Sequence, residues 1–307
     1  MNIFPLLLSV AGLCVFEVVS SLDNAVVNAD VLRTMAPKWR KWFLVWGILF
    51  AVVLVRGVLP WLIVWLSTPG LGPWEAMTAS FSSDPRVAEA MKTSAPYLLM
   101  GGGVFLVFLF LHWLFLDHKE FGLAIEKFFT QQGLWFFTLA SILLTVIIWL
   151  ALKKDPWLAF AASVGSSVFF LTHGFKEHAE EVEVTMQKNR NLSDISKLVY
   201  LEVLDATFSI DGVIGAFAFT MSVPIIILGN GLGALVVRQL TIKGVEKIRN
   251  YPYLKNGAMY SIFFLGTIMI LQGFHIHIPE YVAPLMTFAV IGYFFFKSVS
   301  AKKKNAP

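Results

Sequence analysis

Nine long apolar runs, separated by short polar segments rich in lysine and arginine, dominate this chain. Hydrophobic residues make up 57% and charged residues only 14% of its 307 residues, whereas a soluble domain has roughly 25% charged residues. A run of about 20 apolar residues is long enough to cross a bilayer as a helix. We therefore predict an all-α polytopic membrane protein with nine transmembrane helices, at about residues 4–30, 42–67, 96–117, 134–152, 156–173, 196–220, 224–241, 257–274 and 281–298.

The distribution of lysine and arginine predicts how these spans are oriented. With the N-terminus outside, eighteen of the 24 basic residues fall on the cytoplasmic side and four fall outside, while Arg56 and Arg238 lie within spans. Cytoplasmic loops of membrane proteins carry such an excess of positive charge. We therefore predict an N-out, C-in protein of the cell inner (plasma) membrane, with a basic cytoplasmic tail at 299–307.

The net charge of +4 follows from this bias, since the basic residues sit at helix ends beside anionic lipid. It is therefore no argument for nucleic-acid binding. The lipid bilayer is the expected partner, and a second copy of the chain or another membrane protein could be a further one.

Two acidic motifs with the same spacing interrupt the apolar sequence, one in 17–24 and the other in 205–212. Each has an acid, a serine four residues later and an aspartate six residues after the acid. Carboxylates at membrane depth are energetically expensive, which makes this doubled pattern the strongest functional signal in the chain. On the predicted topology the two motifs run antiparallel, and the span after each contains one arginine, Arg56 or Arg238. This pattern predicts a single membrane domain with an inverted repeat, 4–117 and 196–298, joined by helices within 134–173.

Helical spacing places most polar residues of each motif on one face of its helix. The first face holds Glu17, Ser21, Asn24 and Asn28, and the second holds Glu202, Asp205, Ser209 and Gly212. Asp23 and Asp211 lie off these faces, so either they face other helices or the helix loosens after each serine and turns them inward. Gly212 and Gly215 favour a loosened helix in the sixth span.

The charges of the two motifs and their arginines do not balance. Five carboxylates face two guanidinium groups, which leaves an excess of three negative charges; the acids are Glu17, Asp23, Glu202, Asp205 and Asp211. A bound cation would supply the missing charge, and oxygen ligands without thiolate or imidazole suit Mn²⁺, Ca²⁺ or Mg²⁺ better than Zn²⁺ or Cu⁺. Protons are the alternative counter-charge, and an exchanger could use both. Ion pairs between helices explain one of the acids but are a poor account of all five.

The stretch Ser21–Ala29 and the pattern Glu202-x-x-Asp205-x-x-Phe208-Ser209-x-Asp211 resemble the paired signature motifs of the TerC family of integral membrane proteins. Three further segments, 72–75, 101–103 and 237–238, resemble a subgroup of that family long catalogued as a domain of unknown function. The resemblance implies a polytopic inner-membrane protein linked to manganese efflux, metal homeostasis and tellurite resistance.

Carried onto this sequence, the resemblance implies an ion site made of Glu17, Ser21, Asp23, Asn24, Glu202, Asp205, Ser209 and Asp211. Gly212 stands where many members of the family have a small polar residue, which removes one potential ligand. Mn²⁺ is the cation that the resemblance favours, with Ca²⁺ second.

Histidines outside the motifs give weaker signals. His112 lies within a span and could carry protons, although a packed histidine is the simpler interpretation. The segment 172–183, with His173 and His178, is dense in potential ligands; we interpret it as a solvated helix end in preference to a metal-sensing site.

Three functions remain open at this stage. The first is a secondary transporter that exports divalent cations; under this prediction the protein is not an enzyme. The second is a membrane-embedded metal-dependent enzyme, and the third is a non-transporting membrane partner in metal or tellurite stress.

Overall fold

The computed structural model describes residues 3–47, 50, 56–68, 70–78, 85–119, 121–188, 193–243 and 251–304. Within these ranges, nothing is described of the side chains at 23–24, 27, 30, 44–45, 88, 177–188, 204, 208, 242–243 and 303–304. All regular secondary structure in the described ranges is helical. The α-helices are α1 (Ile3–Ser20), α2 (Leu22–Arg33), α3 (Pro37–Trp42), α4 (Leu59–Ser67), α5 (Pro73–Thr78), α6 (Pro85–Leu116), α7 (Ala124–Thr130), α8 (Trp135–Leu152), α9 (Pro156–Lys188), α10 (Asp194–Ala216), α11 (Val223–Lys243), α12 (Leu254–Gly273) and α13 (Val282–Lys304).

Among the described residues, seven helices are long and apolar enough to cross a membrane: α1, α6, α8, α9, α11, α12 and α13. The second and sixth predicted spans are not among them. The second lies partly outside the described ranges, and the rest of it contains a π-helical turn at Phe43–Gly47 and the short α4. The sixth corresponds to α10, whose apolar sequence is interrupted by the acids of the second motif. The nine-span count, the orientation and the inverted repeat therefore stay predictions.

The first predicted span, 4–30, consists of two helices. α1 ends at Ser20 and α2 begins at Leu22, with Ser21 between them at φ −91° and ψ 6°. Backbone hydrogen bonds still connect Ser21 N to Glu17 O (3.1 Å) and Ala25 N to Ser21 O (3.0 Å), so the backbone groups keep their partners through the interruption.

The helix of the second motif is continuous. α10 runs as an α-helix through Gly212 and Gly215 to Ala216. The prediction that the sixth span loosens is therefore wrong, and the interruption lies in the first motif. The two glycines serve close contact between helices, as described below.

Helix α6 packs along both α9 and α12 and forms the centre of the fold. Glycines permit the contact on each side. A methyl group added to Gly165 on α9 would lie 2.0 Å from the carbonyl oxygen of Gly101, and one added to Gly103 would lie 2.8 Å from the carbonyl oxygen of Gly266 on α12. Backbones can approach this closely only where side chains are missing. These three helices are thus held at backbone contact distance.

Candidate functional site

Glu17 of the first motif is the centre of a buried polar cluster. Glu17 is only 1% exposed to solvent. Its Oε1 atom accepts a hydrogen bond from Ser21 Oγ at 3.0 Å and another from Arg56 Nε at 3.0 Å, and Arg56 Nη2 also donates to it. The acid and the serine predicted to share one helical face are therefore in contact, and Arg56 neutralises the acid.

Arg56 also connects the first motif to the second. Its Nη1 atom lies 3.8 Å from Asp205 Oδ2 on α10, and both residues are buried. The first acid of each motif is thus held at the same guanidinium group. The two motifs, 188 positions apart when counted from Glu17 to Asp205 (205 − 17), form one polar cluster.

Glycines bring α10 and α11 into direct contact with Glu17. A methyl group on Gly212 would lie 2.8 Å from Glu17 Oε2, and one on Gly233 would lie 2.6 Å from Glu17 Cβ. Gly229, one turn earlier on α11, meets Leu13 of α1 in the same way, at 2.5 Å from Cβ to Cβ. This close packing of α11 against α1 fixes the position of the acid.

Glu202 forms a second ion pair in the cluster. Its Oε1 atom lies 3.7 Å from Arg238 Nη2, and both residues are buried. The Arg238 guanidinium also lies over the Phe43 ring, 3.8 Å from its centroid. A methyl group on Gly47, at the end of the π-helical turn, would lie 2.1 Å from Glu202 Oε1. Each of the two arginines predicted as counter-charges therefore pairs with a glutamate that faces a glycine.

Asp211 pairs with Lys176 of α9, which lies in the segment 172–183 that the sequence predicts to be a solvated helix end. The two side chains are 13% and 11% exposed. The placement of Lys176 in a solvated segment is therefore wrong. Helix α9 continues past the predicted end of the span at 173, which puts Lys176 about one turn beyond His173.

The remaining predicted site residues differ in their surroundings. Ser209 donates its hydroxyl hydrogen bond to the backbone oxygen of Asp205 at 2.6 Å, so its side chain serves its own helix. The side chains of Asp23 and Asn24 lie outside the described residues. Asn230, which the sequence reasoning left out of the site, donates to the backbone oxygen of Gly212 at 3.5 Å.

Several buried oxygen atoms of the cluster accept no hydrogen bond within the described part of the chain. They are Glu17 Oε2, Asn28 Oδ1, Glu202 Oε1 and Oε2, Asp211 Oδ1 and Asn230 Oδ1. Such atoms are expensive to bury unless a partner satisfies them. In those same residues, no three His, Cys, Asp or Glu side chains converge to hold a metal ion. The cluster thus contains carboxylate and amide oxygen atoms without a hydrogen-bond donor among the described residues, while Arg56, Arg238 and Lys176 form ion pairs with its acids.

A family model described as "Protein of unknown function (DUF475)" matches residues 22–305. The chain belongs to this family. This DUF475 member is also similar to "Uncharacterized membrane protein YceF" of Bacillus subtilis (strain 168), with 25% identity over 134 residues. The aligned region covers 42% of this chain and 52% of that relative, about half of the relative's length. No solved structure matches the chain. Together with its apolar helices, the likeness identifies a multi-pass membrane protein.

Proposed function

We propose that this protein is a secondary transporter that exports divalent metal cations across the cell inner membrane, with Mn²⁺ as its preferred substrate and Ca²⁺ as the second choice. In this proposal the protein is no enzyme, and its two acidic motifs together form the ion site. The TerC resemblance of both motifs supports the choice of Mn²⁺, and oxygen ligands suit this hard cation. The observation that carries the proposal is the contact of Arg56 with Glu17 of one motif and Asp205 of the other.

The charges of the cluster support a divalent substrate. With Asp23, whose side chain lies outside the described residues, the motifs contain five carboxylates. Lys176 joins Arg56 and Arg238 as a third basic partner. Five negative and three positive charges leave two negative charges, which equal the charge of one divalent cation. Glu17, Glu202 and Asp205 are buried, and uncompensated negative charge at buried carboxylates is unfavourable without a counter-ion.

Binding of a metal ion at these carboxylates requires competition with the basic side chains. Arg56 donates to one oxygen of Glu17 and leaves Oε2 without a hydrogen-bond partner among the described residues. A divalent cation that approaches Glu17 Oε2 would repel the guanidinium, because both are positive. We therefore propose that Arg56 acts as an internal counter-ion, which stabilises the carboxylates when the metal ion leaves.

The interruption at Ser21 gives the first motif a place to move. α2 follows it and contains Asp23, Asn24 and Asn28. Discontinuous helices commonly form the ion sites of secondary transporters. We propose that rotation of α2 about Ser21 adds oxygen ligands from α2 to those of Glu17, while the continuous α10 stays in place. This movement would bring oxygen ligands from α2 and from Glu17 together around one ion.

Mn²⁺ flux into proteoliposomes tests the proposal. We expect Asp23→Asn and Asp211→Asn each to reduce the uptake rate by about tenfold or more, since each removes a charged ligand and tenfold corresponds to about 1.4 kcal/mol. Glu126→Gln is the matched control, because Glu126 is a buried carboxylate on α7 that hydrogen-bonds Asn256 and lies outside the cluster; its uptake should stay near the parental rate.

Parental rates in both Asn variants would refute the carboxylate site. A parent protein that moves neither Mn²⁺ nor Ca²⁺ would refute transport and favour a membrane-embedded enzyme or a non-transporting partner in metal or tellurite stress.

A further inference from the structure

His112 and His173 form a pair of imidazoles separate from the acidic cluster. His112 lies near the end of α6 and His173 lies on α9, and their ring centroids are 3.7 Å apart with an interplanar angle of 52°. Aromatic rings enclose the pair: His173 stacks on Phe169 at 5.7 Å, and Phe136 meets His112 edge-on at 5.4 Å. The His112 side chain is 15% exposed. Two titratable rings are therefore held together in largely apolar surroundings.

Such a pair can bind one proton much more readily than two. Two adjacent imidazolium charges repel each other, so the second proton is disfavoured by the first. An imidazole is the side chain best suited to exchange a proton near neutral pH, because its ordinary pKa is about 6.5; burial among aromatic rings disfavours the charged form, and a nearby carboxylate favours it. The pair therefore has the chemistry of a site for a single proton.

Charged groups of both signs face this pair. Asp117 Oδ1 lies 3.6 Å from His112 Nδ1 and favours a bound proton. Lys255 of α12 lies 3.6 Å from Asp117 Oδ2 and offsets part of that attraction. Lys119, just beyond the end of α6, and Lys176 of α9 bring positive charge near His112. A change in the charge of any of these groups will change how tightly the pair binds its proton.

Helix α9 connects the imidazoles to the acidic cluster. Lys176 follows His173 by three residues, and residues three apart are neighbours on a helix surface. Lys176 forms its ion pair with Asp211 of the second motif. Because these side chains are mostly buried, solvent screens the repulsion between Lys176 and a charged imidazole only weakly.

We propose that His112 and His173 are the proton-binding site of the transporter, and that a proton there and a divalent cation at Asp211 exclude each other through Lys176. This inference rests on the proposed function and adds the coupling ion to it. A protonated pair repels the Lys176 ammonium and keeps it against Asp211, where it opposes the metal ion. A neutral pair allows Lys176 to withdraw toward the imidazoles, and Asp211 then becomes available to the cation. Metal ions and protons would consequently move in opposite directions.

Proteoliposomes that contain the full chain and a pH-sensitive dye in the lumen test this coupling. Mn²⁺ added outside should enter the parent vesicles and drive protons out of the lumen. In the double variant His112→Gln/His173→Gln we expect Mn²⁺ uptake to persist, proton movement to fall by about tenfold, and the uptake rate to vary little between about pH 6 and pH 8. His118→Gln is the matched control, since His118 is exposed just beyond the same end of α6, and it should retain parental proton movement.

Parental proton movement in the double variant, or Mn²⁺ uptake by the parent without proton movement, would overturn the proton site and leave the transport function standing. Absence of any Mn²⁺ or Ca²⁺ flux in the parent would instead overturn the transport function, and the coupling with it. Should the double variant fail to fold, Lys176→Gln provides a second test. It should bind Mn²⁺ more tightly, with a pH dependence of binding that is about tenfold smaller between pH 6 and pH 8; an unchanged pH dependence would overturn the proposal.

Discussion

The two acidic motifs share one spacing in sequence but have different local structures. In the first, the helix stops at Ser20 and resumes at Leu22, and the Ser21 hydroxyl donates to the acid of the motif, Glu17. In the second, α10 is continuous, and the Ser209 hydroxyl donates to a backbone oxygen of its own helix. The two serines therefore have different structural roles. In the first motif the serine hydroxyl holds the buried acid, whereas in the second motif it bonds within its own continuous helix.

The largest expected difference between the motifs concerns their arginines. Arg56→Leu leaves the Glu17 carboxylate buried without its guanidinium, and we expect the free energy of unfolding to fall by about 3–5 kcal/mol. Arg238→Leu should have less than half of that effect, because the 3.7 Å separation of Arg238 and Glu202 is longer than a hydrogen bond. Denaturant unfolding of both purified variants in detergent micelles measures the two losses. Equal losses would contradict the distinction between the two ion pairs.

An intermediate effect is expected from the glycines that face Glu17. Gly233→Ala would place a methyl group 2.6 Å from Glu17 Cβ. We expect this variant to destabilise the fold by about 3 kcal/mol, because α1 and α11 would have to move apart. Gly212→Ala meets only the carboxylate end of the same side chain, at 2.8 Å, and should cost about 1 kcal/mol. Thermal unfolding of the two variants under one set of conditions tests this order. A greater loss of stability in Gly212→Ala would show that the contact between Glu17 and α10 is the tighter one.

The smallest expected effect separates the two serines. Ser21→Ala removes a buried hydrogen bond to a carboxylate, and we expect a loss of about 1.5–2 kcal/mol. Ser209→Ala removes only a hydrogen bond to the carbonyl four residues earlier in the same helix, and should change stability by less than about 0.5 kcal/mol. Parallel denaturant titrations of these isosteric variants compare the two motifs directly. A larger loss of stability in Ser209→Ala than in Ser21→Ala would contradict this expectation.

Much of the buried cluster was predictable because helical spacing depends only on sequence. The predicted face of the second motif is confirmed, since Glu202, Asp205 and Ser209 are all buried. Asp211 lies off that face, and of the two explanations offered for it, contact with another helix is correct. Periodicity could assign these residues to faces, but it could not identify the helix that each face meets.

The interruption at Ser21 and the role of Lys176 depended on tertiary structure. No glycine or proline lies within 17–24, so the sequence has no residue that marks the interruption. Gly212 and Gly215, which suggested a break, instead allow Glu17 and Phe16 to approach α10 closely. Hydropathy predicts solvent for Lys176 because it penalises every lysine, including one that pairs with an aspartate of another helix.

The glycine contacts of α6 affect how any movement in this protein can be measured. Gly101 meets Gly165, and Gly103 meets Gly266, at distances that leave no room for a side chain between the backbones. Spectroscopic labels on the outer surfaces of α6, α9 and α12 should therefore keep constant separations and define a reference frame within the molecule. A label on α2, which follows the interruption at Ser21, would report its displacement relative to that frame, whatever ligand is added.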